Sequence, residues 1–81
     1  MEKEKDIHQE VPEGFYKHYK GGAYRVLNVA EHTNTGEKLV IYFSIRNRNE
    51  IWARPLSEWN EEVRPGVHRF EPIAATEARR S

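Results

Sequence analysis

The chain contains no cysteine. That excludes disulfides, a thiolate nucleophile and a cysteine-ligated zinc. Its 81 residues must therefore hold by packing alone or by pairing with a second copy. No apolar run approaches the roughly 20 residues that cross a bilayer. The opening Met1-Glu2-Lys3-Glu4-Lys5-Asp6 lacks the apolar centre of a secretory signal. A cytoplasmic location with no membrane partner is expected. No segment repeats or is of low complexity, and length limits the chain to one domain.

Net charge is also missing, with 13 basic residues against 13 acidic. The zero hides a division. Residues 1–13 carry two lysines against five carboxylates, and residues 14–70 carry nine cations against six. A mildly basic folded part thus follows an acidic leader. Its excess of three charges is far below the footprint of a dedicated nucleic-acid binder. Residues 1–12 are polar, end at Pro12, and read as a flexible acidic tail. Residues 72–81 read as a second flexible tail or a short helix. Residues 13–71 are left as the domain.

Within those bounds the pattern is β. Phe15 to Tyr19 alternates two sets, Phe15/Lys17/Tyr19 and Tyr16/His18/Lys20, and Gly21-Gly22 breaks the strand. Ala23 to Glu31 is rich in β-branched and aromatic residues. Its apolar positions slip from Tyr24 and Val26 to Leu27 and Val29, which predicts a bulge or burial on both faces. Thr33-Asn34-Thr35-Gly36 is a turn, with Gly36 suited to a left-handed backbone. Lys38 to Ile45 runs through Leu39, Val40, Ile41, Tyr42 and Phe43, predicting a central strand covered on both faces. Arg46-Asn47-Arg48-Asn49 is a hairpin tip, Glu50 to Arg54 returns, and Pro55 ends that strand. Ser57 to Val63 predicts one or two helical turns capped by Ser57. Val67 to Glu71 is the last strand. The expected fold is all-β and mainly antiparallel, a five-stranded, partly open SH3-like barrel with a helical turn before its last strand. A sheet packed by one helix is the alternative.

The unusual feature is chemical. Gly14-Phe15-Tyr16-Lys17-His18-Tyr19-Lys20-Gly21 is answered downstream by Trp52-Ala53-Arg54-Pro55-Leu56 and Arg69-Phe70. A strand needs aromatics for packing, but it does not need His and Lys set between them. The order Gly14-x-Tyr16-x-His18-Tyr19-Lys20-Gly21-x-x-Tyr24-x-Val26-Leu27, then Ala30-x-His32-Thr33-x-Thr35-x-Glu37, Val40-x-Tyr42, Trp52-x-Arg54-Pro55-Leu56, Glu61-x-Val63 and Arg69-Phe70 resembles the bacterial domain-of-unknown-function family 1653 (DUF1653) over Gly14 to Phe70. Asn34 stands where that family usually has glutamate, Trp59 where it has phenylalanine, and Arg46-Asn47-Arg48 where Leu-Tyr-Gly is typical. The resemblance implies a small domain, free-standing or attached to others, and carries no activity with it.

His18, Lys20, His32, Trp52, Arg54 and Arg69 are the candidate binding residues. Imidazoles bind zinc, copper or nickel. Here they fall in no tight ligand motif, and strand histidines are more often hydrogen-bonded at a surface, so no metal and no cofactor are expected. General acid–base work by His18 or His32 would need an activated nucleophile. Ser44, Ser57, Thr33 and Thr35 sit in no context that supplies one. Arginine's planar fork suits phosphate and stacks on rings, although Arg54 has Glu61 or Glu31 as simple ion-pair partners. The aromatics are mostly core, with an outward subset fit to stack a base or cage a cation. The first expectation is a non-catalytic module for an anionic ligand, a nucleic-acid backbone or nucleotide. A protein-interaction or self-assembly module is second, and a small hydrolase-like enzyme using His18 or His32 third.

Overall fold

A computed structural model describes residues 11–78. Seven strands and two short helices follow in order. They are β1 (Gly14–His18), β2 (Ala23–Glu31), β3 (Lys38–Ser44), β4 (Asn47–Pro55), α1 (Leu56–Trp59), β5 (Glu62–Arg64), β6 (Val67–His68), β7 (Phe70–Ile73) and α2 (Ala75–Ala78). The main sheet has the order β4-β3-β2-β1-β7, every neighbouring pair antiparallel. It is a meander whose last strand returns beside the first. β4 and β7 do not pair, so the five-stranded SH3-like barrel is partly open, as expected.

Local chemistry sets the corners. Gly21 and Gly22 take φ of 107° and 91°, and Gly36 takes 78°, backbone that side-chain-bearing residues rarely adopt. The slip in the β2 pattern is a bulge, a register shift between Val26 and Asn28 against β3. It bends β2 so that Tyr24 and Val26 before it, and Val29 after it, all pack on the core.

One face of the sheet is the core. Val11, Tyr16, Val26, Val40, Tyr42, Trp59 and Phe70 form a single buried cluster, with Tyr24, Val29 and Leu56 against it. Trp59, on α1, is its keystone. It stacks on Phe70 with ring centroids 3.7 Å apart and meets Tyr16 and Tyr42 edge-on at 5.4 and 4.9 Å.

Several expectations are corrected. β3 is not covered on both faces: Val40 and Tyr42 are buried, but Leu39, Ile41 and Phe43 are half-buried, because the described residues place no second layer on that side. Ser57 does not cap α1, which begins at Leu56 after Pro55 with no side-chain cap. The hairpin tip narrows to Ile45-Arg46, and pairing resumes at Asn47. The expected last strand is split. Val67–His68 pairs with β5 in a separate hairpin, and only Phe70–Ile73 joins the main sheet. The packed unit also exceeds 13–71. Val11 is 2% exposed, and α2 seats Ala78 at 1%. The rest of the two expected tails, residues 1–10 and 79–81, lies outside the described residues.

Candidate functional site

β1 and β4 are separated by two strands, yet the curl of the sheet brings their polar ends together on the core side. β1 places Tyr16 in the core, so His18, two residues on, faces the same way at the strand's end. The imidazole meets Phe70 edge-on at 4.9 Å and lies 4.8 Å from the Tyr19 ring. On β4 the same-face positions are Glu50, Trp52 and Arg54. The Arg54 guanidinium sits 5.8 Å from the Phe70 centroid. Its Nε donates to the Tyr42 hydroxyl at 3.4 Å, and its Nη1 lies 3.3 Å from Glu58. Arg69 enters from the turn before β7. Its Nε donates to the Glu58 carbonyl at 3.2 Å and its Nη2 to Glu61 at 2.8 Å.

Phe70 is therefore the hub around which His18 and Arg54 converge. Electrostatics reports the same convergence. The pKa of His18 is lowered, first by desolvation and then by the positive charges of Arg54, Arg69 and Lys20. Its Nδ1 accepts the Lys20 backbone N–H at 3.1 Å, a bond that favours the tautomer with its proton on Nε2. Four of the six candidate residues, from three separate stretches, thus share one electrostatic environment, in which Glu58 and Glu61 pair with the two arginines. Trp52 adjoins them, 50% exposed and paired across the sheet with Tyr42. Arg54 and Trp52 share an open groove of about 400 Å³, which Tyr24, Tyr42, Ser44, Asn47 and Glu50 also line.

His32 is not brought to this patch. It lies beyond the far end of β2, roughly 25 Å along the strand from Tyr24. There its Nδ1 accepts the backbone N–H groups of Asn34 and Thr35 at 3.1 and 3.4 Å, stabilising the turn. A second hollow, about 300 Å³, is lined by Lys17, Tyr19, His68, Glu71 and Glu77 among others. Its carboxylates outnumber its lysine, the wrong balance for an anion. Among the described residues no group of three or more His, Asp or Glu is arranged to hold a metal ion. No helix among them is long and apolar enough to cross a membrane.

The expected ion-pair partners of Arg54 are corrected: it pairs with Glu58, while Glu61 pairs with Arg69 and Glu31 with Lys38. The Arg54–Glu58 pair forms at a strand-to-helix corner, where sequence spacing does not give a shared face.

His18 has a consequence for stability against pH. Its folded pKa lies below the ordinary value of about 6.5. As pH falls below that value, the unfolded chain takes up the proton first. The stabilisation is full above the unfolded value and is lost as pH falls through the folded one. The urea midpoint is expected to drop between pH 7.5 and 5, with a smaller drop in His18→Gln. Equal slopes in the two proteins would refute this assignment.

Fold and groove together define the class, a small all-β domain of the SH3-like type with an aromatic and cationic concavity over its second, third and fourth strands. The sequence pattern of the family described as "Protein of unknown function (DUF1653)" matches residues 14–72. The chain belongs to that family. It is similar to a DUF1653 protein from Bordetella bronchiseptica, whose crystal structure superposes with a TM-score of 0.69 at 34% sequence identity, covering 82% of this chain and 91% of that one. No curated protein matches the sequence.

Proposed function

We propose that this domain is a non-catalytic binding module for an anionic ligand, a nucleic-acid backbone or nucleotide, acting in the bacterial cytoplasm. One observation carries it: His18 and Arg54 meet at Phe70, Arg69 is held beside Arg54 by Glu58, and Arg54 shares its groove with an exposed tryptophan. Both arginines have carboxylate partners, but these ion pairs are solvent-exposed, with Glu58 and Glu61 each 52% accessible. Such pairs contribute little to stability, and a phosphate can compete for the free N–H groups of the fork. Lys20 has no carboxylate partner among the described residues. The bacterial relative and the cysteine-free sequence support the setting.

Contacts from three cations to a single strand release counterions, giving a slope of about −2 for log K against log salt. Affinity for a fluorescent oligonucleotide should therefore fall roughly 20-fold between 50 and 200 mM salt. Binding that ignores salt, or none at micromolar protein, rejects the reading. The second reading, a protein-interaction or self-assembly module, is favoured by the open edge of β4, where Ile51 is 60% exposed. Light scattering over the same concentrations separates the two.

A further inference from the structure

We infer that the groove takes one unpaired nucleotide of a single strand, with its phosphate at Arg54 and an amino-bearing base against Trp52. This rests on the anion-binding reading and adds to it the part of the ligand that is not charged. Trp52 stands on the edge strand with half its surface in water, while Trp59 is 1% exposed. The fold uses one tryptophan and leaves the other open. Every base has a π-face, and an exposed indole is a platform for one.

The order of side chains along β4 gives the ligand a direction. Glu50, Trp52 and Arg54 occupy successive same-face positions about 6.8 Å apart. Arg54 therefore lies one step from the platform on one side, and Glu50 one step on the other. A phosphate is attracted to the Arg54 end, where Lys20 and Arg69 add to the field around His18, and is repelled from the Glu50 end. A base on Trp52 then turns its edge toward Glu50, Asn47 and Ser44, which line the same groove. A carboxylate only accepts hydrogen bonds, so it favours the exocyclic amines of cytosine, adenine and guanine over the carbonyl of thymine or uracil. A duplex hides its base faces in the stack and cannot use the platform. The groove volume, about 400 Å³, is at the small end for ligand clefts, which run from roughly 300 to 1,000 Å³.

The test is fluorescence anisotropy on the full chain at low salt. The probes are short single strands of deoxyadenosine, deoxycytidine or thymidine, an abasic strand of equal length, a duplex and adenosine monophosphate. The proteins are wild type, Trp52→Ala, Trp52→Phe and Glu50→Gln. Base-bearing strands should bind roughly 5- to 100-fold more tightly than the abasic one. Trp52→Ala should erase that difference and Trp52→Phe keep most of it. Glu50→Gln should narrow the preference for adenine and cytosine over thymine. Adenosine monophosphate should bind more weakly than the strand and lose affinity in Trp52→Ala. If it instead matches the strand, the ligand is a free nucleotide and the single-strand assignment falls. If the abasic strand binds as well as the others with the same salt slope, the base platform falls while the anion reading stands. If the duplex binds best, the unpaired-nucleotide assignment falls. If nothing binds, both fall. Trp52 is half exposed, so circular dichroism of its variants should stay native.

Discussion

Trp59→Ala is expected to abolish cooperative folding, or to lower the melting temperature by well over 10 °C. Trp59 is the largest fully buried side chain and touches Tyr16, Tyr42 and Phe70 at once. Removing a buried tryptophan side chain costs about 3–5 kcal/mol, part transfer and part cavity. A domain this small has on the order of 5 kcal/mol in all. The loss also reaches the groove, since Phe70, which positions His18 and Arg54, would lose its stacking partner. Trp59→Phe should behave very differently. The indole Nε1 is buried with no hydrogen-bond partner among the described residues. Such an orphan costs about 1–3 kcal/mol, and a phenyl ring would remove it while keeping the stack. The phenylalanine variant should therefore unfold within a few degrees of wild type, as read by circular dichroism. An alanine variant that does the same would show that the core does not depend on this ring.

Arg54→Ala is expected to weaken oligonucleotide binding about 10- to 100-fold with little loss of stability. The two effects separate because the same guanidinium has two kinds of partner. Its pairing with Glu58 is exposed to water and contributes about 1 kcal/mol or less. A charge-assisted bond to a phosphate contributes about 1.5–3 kcal/mol, and the arginine is already held at the groove by Tyr42 and Glu58. Arg54→Lys should restore part of the affinity, since it keeps the charge but loses the planar fork. An alanine variant that binds as tightly as wild type while folding normally would remove Arg54 from the site.

The architecture was readable where a local rule decides it. The glycine pair after β1, Gly36 and the broken alternation at Val26 and Leu27 each point to a backbone event, and each occurs. The first four strands along the chain followed from their patterning and turns. What sequence did not reveal depends on partners far along the chain. Either face of β1 was a candidate for burial, since both carry an aromatic. Tyr16 goes inward because Trp59, 43 residues later, packs on it edge-on. Val11 looked like part of a polar leader, as one apolar residue before a proline gives no period to read. The β5–β6 hairpin was hidden because its strands are three and two residues long and mostly polar. The site divides in the same way. The types of residue were visible in the cation–aromatic interleaving, but their meeting at Phe70 required the curl of the sheet. His32 was indistinguishable from His18 by composition. Only its place at the opposite end of β2 makes it a turn residue.

The most direct measurement is a 1H–15N correlation spectrum recorded while an oligonucleotide is titrated into the full chain. Shifts should concentrate in His18 to Lys20, Trp52 to Arg54, and Arg69 to Phe70, with His32 and its turn unmoved. Shifts centred elsewhere, on the half-buried face of β3 or around Glu71 and Glu77, or a spectrum that does not change at all, would contradict the account.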